Sequence, residues 1–517
     1  MNGRERVLVA REYFRHNSRG ERMTLLIGID LGTTGCKAAV YDDGGTLLGE
    51  SYLEYGLITL SSTMIEQNPE AWWRLTCQAI DMALVASGAD RKAVTAVTVS
   101  SQGISFVCVD AAGRPLGNAL SWLDGRATAE SAAILARYPA ERLFAITGKR
   151  AAPFYVLPKL LWLRQYRPEL WAHTRTVLMG HDYLVYRLCG EQVTDHSMAG
   201  GTLLYDLQAL GWCPEILDAF ALPTGLLPPI RWAGTPVGAL RRQVAEQLGL
   251  PYDTVVVVGG QDQKCAALGA GITDEIATLS LGTASAIVQI MDRPHTDPAL
   301  RIPTFSFVQP GRWVLEGVIG TGAGSLRWYR DTVAGGAPYT ALDEAAGRIP
   351  AGAGGVCFYP HLGGAGSPYW QTNARATFHG LSLATTRDHM TRAVLEGVAY
   401  QMRANLALTQ QLAGPVRYAI VFGGGARSSL WREIIGDVIG LPLAWTPTVE
   451  TASLGAAMLA GWGSGVFGSL AEARARMVHI LAPREPDSAR AAAYADLFGE
   501  YRRVESHLLA CAAGDPA

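Results

Sequence analysis

A strand, a glycine–threonine turn and a second strand occur twice in this chain and limit what it can fold into. Residues 25–41 read Leu-Leu-Ile-Gly-Ile-Asp-Leu-Gly-Thr-Thr-Gly-Cys-Lys-Ala-Ala-Val-Tyr. The apolar run from Leu25 to Ile29 is short, as a buried strand is. It ends on Asp30, after which Gly32, Thr33, Thr34 and Gly35 make a tight polar turn. A second run, Lys37 to Tyr41, leads into the turn signal Asp42-Asp43-Gly44-Gly45. P-loop and dinucleotide-binding motifs both need a helix after their glycines, so neither applies. A turn of this kind still points successive backbone N–H groups at one spot, and the two threonine hydroxyls add donors that suit a phosphate chain. Asp30, at the strand end, is placed to hold a magnesium ion through water. Taken alone, the stretch also reads as an ordinary β-hairpin.

The recurrence changes that reading. Residues 278–290 run Thr-Leu-Ser-Leu-Gly-Thr-Ala-Ser-Ala-Ile-Val-Gln-Ile, so Ser280-Leu281-Gly282-Thr283 echoes Asp30-Leu31-Gly32-Thr33 at an offset of 250 residues, near half of 517. A repeat of this length predicts an α/β chain of two domains with one fold, each opening with the same hairpin. Two facing turns would clamp one nucleotide in the cleft between them. Ser280 stands where the first copy has Asp30, so only one half supplies the metal-side carboxylate. The expected division is an extension over residues 1–22, a first domain over 23–271 and a second over 272–517.

Composition excludes some partners. The net charge of −2 gives no electrostatic case for nucleic acid or an anionic membrane. No run of 18 apolar residues exists to span a bilayer. The eight cysteines form no Cys-x-x-Cys pair and no zinc spacing with histidine, as expected of buried thiols in a reduced cytoplasm. Residues 1–22 lack the apolar core of a signal peptide and are expected to be a loose extension, with Met23 as an alternative start. A homodimer is left open as the one protein partner.

Several polar groups stand at the ends of expected strands. Ala93 to Val99 reads as a strand ending on Ser100-Ser101-Gln102-Gly103, with a second strand from Ile104 to Asp110, a plain hairpin being the simplest pairing. In Ser121-Trp122-Leu123-Asp124-Gly125-Arg126, an ionised Asp124 could accept from two polyol hydroxyls, cap a helix, or pair with Arg126. His181-Asp182 reads as a helix cap, and Asp195-His196-Ser197 as a loop at a pocket edge. Asp262 is the most specific candidate. It follows the β-branched run Val255 to Val258 and Gly259-Gly260-Gln261, and it opens a helix of small residues. Ligands of open α/β sheets bind beyond the carboxyl ends of central strands. There a carboxylate can take a proton from an alcohol attacking a phosphate.

In the second half, Gly320 to Ser325 opens a helix and makes Gly324 a nucleotide-contact candidate. Gly423-Gly424-Gly425-Ala426 follows the strand Tyr418 to Phe422 and precedes a helix from about Ser428 to Ile439, with Gly440 as its cap. Those glycines let a flat base or a ribose approach the backbone, with Ser429 close by. The small-residue helix opened by Thr451 to Ala457 is expected to pack beside this turn.

These motifs, in this order, resemble the FGGY carbohydrate kinases, a branch of the actin-like, ribonuclease-H-like ATPases. The resemblance spans roughly residues 24–500. It rests on Ile-Asp-Leu-Gly-Thr-Thr at 29–34, Trp-Leu-Asp-Gly-Arg at 122–126, Gly-Gly-Gln-Asp at 259–262, Ser-Leu-Gly-Thr at 280–283, Arg-Ala-Val-Leu-Glu-Gly at 392–397 and Phe-Gly-Gly-Gly-Ala-Arg-Ser at 422–428. It implies ATP-dependent phosphorylation of a sugar or polyol hydroxyl, with magnesium. By matching position Asp262 resembles the family's catalytic base, Thr33 and Thr34 its first phosphate loop, and Gly282 and Thr283 its second. Gly424, Gly425 and Ala426 resemble its adenosine loop. Gln102, Gly103, Ile104, Asp124, Asp262 and Gln263 fall where members contact the sugar.

Two departures bear on the substrate. After the glutamine matching Gln102, xylulose-phosphorylating members carry Met-His and glycerol-phosphorylating members carry Arg-Glu, whereas this chain has Gly103-Ile104. Yet Gly-Ala-Gly-Ser-Pro-Tyr-Trp at 364–370 is similar to the glycerol branch. Loss of the Arg-Glu charges leaves space for a longer substrate, so the expected acceptor is a five-carbon ketose such as D-xylulose. Another pentulose, a pentitol or glycerol is the alternative. An actin- or chaperone-like ATPase, or a sugar-binding regulator without catalysis, are readings of another class, and the presence of Asp262 weighs against both.

Overall fold

Each copy of the repeated hairpin becomes the centre of a mixed sheet. The computed structural model describes residues 24–514. The extension expected over 1–22 and the alternative start at Met23 lie outside the described residues. In the first sheet the spatial order is Pro236–Ala239, Val255–Gln261, Val94–Ser101, Leu25–Leu31, Gly35–Asp42 and Leu47–Glu54. In the second it is Thr304–Ser306, Trp313–Ile319, Ser285–Met291, Ile276–Ser280, Tyr418–Phe422, Leu443–Trp445 and Leu481–Arg484. Both share one connectivity. The hairpin strands pair antiparallel and a third strand extends them, while two later strands run parallel on the other side of the first. The duplicated α/β fold is thus present. The central strands are apolar on both faces because helices cover both.

Two small-residue helices cross between the sheets. Asp262–Gly269 follows the last parallel strand of the first sheet, and Thr451–Gly463 follows its counterpart in the second. They pack backbone to backbone, since a Cβ on Gly269 would overlap the carbonyl of Thr451 and one on Gly455 would overlap that of Cys265. Each helix reaches into the opposite half. Leu454, Ala457 and Met458 share a core with Leu26, Ala39 and Ala96, while Cys265 and Leu268 join the same core beside Val288, Ile290 and Val314. The sequence placed the second helix beside the glycine turn. Its first turn does meet Phe422 there, through Ala452, but most of its length lies on the first sheet, where Gly28 sits against the Ser453 carbonyl.

The hairpin expected from residues 93–110 does not form. Val94–Ser101 pairs with Leu25–Leu31 in the main sheet, and Phe106–Val109 pairs with Thr176–Met179 and Ala119–Leu120 in a smaller sheet. The chain leaves the main sheet at Gln102 to Ser105, where Ile104 takes φ +58°. The small sheet, with helices such as Val156–Tyr166, forms a cap with its own core of Phe106, Leu157, Leu160, Met179 and Met198. Helix ends follow their sequence signals. Asn68 accepts from the N–H groups of Glu70 and Ala71 ahead of Pro69–Ser87, and Ser428 caps Ser429–Ile439, which ends on Gly440 at φ +68°. Among the described residues no helix is long and apolar enough to cross a membrane, and all eight cysteines are free thiols.

The helix crossing yields a stability prediction. Gly455→Ala should destabilise the fold by about 1–3 kcal/mol, because the added methyl forces the two backbones apart. Gly499→Ala, in helix Ser488–Ala513 where a Cβ meets nothing within 4 Å, should instead gain about 0.5–1 kcal/mol. Urea unfolding of the two variants checks the contrast, and equal midpoints would contradict the packing account.

Candidate active site

Strand register brings the candidate acids together. Leu25–Leu31, Val94–Ser101 and Val255–Gln261 run parallel, with Asp30 opposite Ser100 and Ser100 opposite Gly260. Their carboxyl ends therefore open onto one edge, next to the first residue of helix Asp262–Gly269. Asp30 accepts from Ser100 Oγ at 3.1 Å. On Asp262, Oδ1 accepts from the Gln263 N–H at 2.7 Å and from Gln261 Nε2 at 2.5 Å. Oδ2 has no hydrogen-bond partner among the described residues, so one carboxylate oxygen is held and the other is open.

Burial and the charge of Asp30 both disfavour the ionisation of Asp262. Burial pushes Asp262 up to about 7, and the charge of Asp30 adds to the rise. Asp30 is itself pushed up to about 6 by burial, against the pull of Lys37. Lys37 pairs with Glu450 across the halves. Behind the helix start, the fully buried Lys264 pairs with Glu316 of the second sheet, another bridge between the halves.

Residues of two weaker sequence candidates, His181-Asp182 and Asp195-His196-Ser197, support this edge from behind. His181 Nε2 accepts from the Gly259 N–H at 3.0 Å, and its Nδ1 lies 3.0 Å from Asp182 Oδ1. Asp182 also accepts from the Met179 N–H, as expected of a cap. Ser197 Oγ accepts from the Gln261 N–H at 2.9 Å and donates to Asp195. These contacts fix the strand end that presents Asp262.

The first phosphate turn is tied to its neighbours by its own polar groups. Gly32 N–H donates to the Gly35 carbonyl at 2.9 Å, and Tyr55 OH donates to the Gly32 carbonyl. Thr33 is held by its carbonyl, which accepts from Gln67 Nε2 at 2.6 Å, and by its hydroxyl, which accepts from Trp122 Nε1 at 2.8 Å. Thr34 is exposed, with its hydroxyl 3.4 Å from that of Tyr52. In the second turn the carbonyls of Gly282 and Thr283 accept from the N–H groups of Gly322, Ala323 and Gly324. A Cβ on Gly324 would lie 2.7 Å from the Thr283 carbonyl, which accounts for glycine there. Ser280, the counterpart of Asp30, accepts from the Ala286 N–H at 2.7 Å and serves its own hairpin.

The glycine turn adjoins the second phosphate turn, because Gly425 N–H donates to the Leu281 carbonyl at 3.0 Å. Gly423 has φ +96°, and Gly425 packs against Leu281. Gly424 is exposed with open space where a side chain would be, as is Ser429 at the following helix start, while Ala426 is buried.

On the cap side, Gln102 is buried and its Oε1 has no partner. Gly103 packs against Gln261, whose Oε1 is likewise buried and unpartnered. Ile104, a β-branched residue with positive φ, is an outlier of the kind that collects at ligand sites. Gln263 lies half-buried beyond Asp262. Of the three roles the sequence left open for Asp124, the structure shows the pairing with Arg126. Asp124 is fully buried, and both oxygens are occupied by Arg126, with Oδ2 also accepting from the Ile65 N–H at 2.6 Å. Arg126 also pairs with Glu66. Asp124 therefore shapes the loop and has no lone pair facing a polyol. Sequence reading missed Gln67, Gln261, Trp122 and the Lys37–Glu450 pair. Gln261 could have been found, since it stands between the strand and Asp262. The others depend on contacts between segments distant in sequence.

Comparison with known proteins places the chain. The N-terminal domain of the FGGY family of carbohydrate kinases matches residues 25–269, and its C-terminal domain matches 277–464. The xylulose kinase of Escherichia coli (strain K12) is 32% identical over 94% of this chain and 99% of its own length. The gluconokinase of Bacillus subtilis (strain 168) is 29% identical over 86% of this chain and 88% of its own. The crystal structure of ligand-bound xylulose kinase from Lactobacillus acidophilus superposes with a TM-score of 0.89 at 26% identity, covering 95% of this chain and 99% of that one.

The raised Asp262 has a consequence for stability. Below the ordinary value of 3.8 the carboxyl is protonated in both folded and unfolded chains, and stability is lost as pH rises through about 7. Asparagine carries no such loss. The stability of Asp262→Asn relative to wild type should therefore increase by roughly 2–3 kcal/mol between pH 5 and pH 8. Thermal denaturation at the two pH values reads this directly, and a constant difference would mean that the carboxylate is not raised.

Proposed function

The chain belongs to the FGGY family of carbohydrate kinases and is an ATP-dependent sugar kinase; from that premise we propose that its acceptor is D-xylulose, with Asp262 as general base and magnesium at Asp30. The observation that carries the base assignment is the carboxylate's divided geometry. One oxygen is fixed by Gln261 and Gln263, and the other has no hydrogen-bond partner among the described residues. The open oxygen takes the proton of the attacking hydroxyl. The sugar oxygen then forms its bond to the γ-phosphorus as the bond to the ADP oxygen breaks, in line. N–H groups of the two phosphate turns, with the Thr33 and Thr283 hydroxyls, face the charge that spreads over the transferred group. A base near 7 is close to the operating pH, where general-base catalysis is most efficient.

The donor set suits magnesium. Among the described residues no group of three or more His, Cys, Asp or Glu is placed to hold a metal. Magnesium instead uses one or two carboxylates together with phosphate oxygens and water. Asp30, buried and facing a second carboxylate, is the side chain that would hold it, and the bound ion would offset phosphate charge.

The substrate reading rests on the chemistry of the unpartnered atoms. Both orphaned groups at the pocket, Gln102 Oε1 and Gln261 Oε1, are neutral acceptors, and an acceptor is matched by a hydroxyl donor. A ligand carboxylate cannot donate to either atom, so an acid such as gluconate would meet them only through its hydroxyls. The guanidinium of Arg126 is already committed to Asp124 and Glu66. Two of the three relatives described above are xylulose kinases.

Asp262→Asn should lower kcat by about 10²–10⁴-fold while leaving ADP affinity nearly unchanged. A variant retaining a tenth of wild-type turnover would remove the base assignment. For the acceptor, the enzyme is given equal D-xylulose, D-gluconate and glycerol with limiting ATP, and the products are separated by mass. Xylulose phosphate should predominate, and a majority of either other product would overturn the substrate assignment.

A further inference from the structure

We propose that Gln67 is a positioning residue that carries occupancy of the sugar pocket to the first phosphate turn. The inference rests on assigning Gln102 to the sugar and Thr33 to the phosphates. Gln102 Nε2 donates to Gln67 Oε1 at 3.0 Å, and Gln67 Nε2 donates to the Thr33 carbonyl at 2.6 Å. The two amides are 1% and 0% exposed, so each spends its polar atoms on this chain and not on solvent. One atom is left over. Gln102 Oε1, at the pocket end, is buried without a partner. A sugar hydroxyl donating to that atom completes an unbroken series from ligand to phosphate turn.

The backbone of Gln67 does not need this amide. Gln67 is the last residue of strand Ile65–Gln67 and pairs with Ala119 in the small sheet, so the ladder already sets its position. The side chain is free to take a role beyond folding, and it reaches the residue whose hydroxyl accepts from Trp122 Nε1. Thr33 is thus gripped at carbonyl and hydroxyl by two residues from the sugar side. With a lone pair taken by the indole, its O–H is turned out as a donor. Hydrogen bonds in series polarise one another in a low-dielectric interior. A donor arriving at Gln102 therefore strengthens the bond to Gln67, and through it the bond that orients Thr33. Coupling of this kind is reciprocal: sugar tightens nucleotide by the factor by which nucleotide tightens sugar.

The test measures that factor. Binding of ADP with magnesium is titrated calorimetrically, alone and with saturating D-xylulose, D-gluconate or glycerol. In the wild type one of the three should tighten ADP by about fivefold or more. In Gln67→Leu that factor should fall below about twofold, with ADP affinity in the absence of sugar changed less than the factor itself. Gln67→His, whose imidazole offers one donor and one acceptor, should restore most of the coupling. If Gln67→Leu does not fold, Gln67→Glu keeps the acceptor for Gln102, loses the donor to Thr33, and is held to the same expectation. A wild-type factor in the leucine or glutamate variant overturns the proposal. So does equal loss in leucine and histidine variants, which would mark a packing role, or no tightening by any of the three acceptors. Tightening by gluconate or glycerol in place of D-xylulose overturns the substrate assignment and leaves the relay standing.

Discussion

Contact between two helix backbones sets the rest of this structure. Asp262–Gly269 and Thr451–Gly463 can touch only because Gly269 and Gly455 lack side chains at the crossing. Each helix is anchored in the half opposite to the one that precedes it in sequence. Both helices start at the cleft, one with Asp262 and the other directly after Glu450, the partner of Lys37. The separation of Asp262, the first glycine–threonine turn and the Lys37–Glu450 pair therefore follows from one packing distance.

Much of this was legible in the residues. The repeated strand–turn–strand pattern announced a duplicated α/β fold, because apolar runs of that length bounded by glycines have few other uses. Asp262 stood out because β-branched residues followed by two glycines leave a side chain at a strand end. Contacts between distant segments were not legible. Asp124 has the chemistry of a sugar ligand, and only folding shows that Arg126 and the Ile65 N–H consume its oxygens. Gln67 precedes a strong helix cap and drew no notice, since its meaning depends on Gln102 and Thr33, both more than 30 residues away. Residues 104–110 read as a hairpin partner because alternation reports that a strand forms but not which sheet it joins.

The two halves show how a duplicated fold divides labour. In the first half the strand-end position holds Asp30, which faces the cleft, whereas Ser280 in the second is absorbed by hydrogen bonds within its own hairpin. The cap, with Gln102 and Ile104 at its base, is inserted into the first half, and the glycine turn into the second. The cap and the glycine turn therefore lie in different halves.

Two buried, raised carboxyls at one sheet edge make that edge a reservoir of protons. With one acid near 6 and the other near 7, a fraction of the molecules at neutral pH carries a proton that a divalent cation would drive off. Were a divalent cation held at this edge, its uptake would release acid. Its heat would then vary with the ionisation enthalpy of the buffer, even though no histidine takes part.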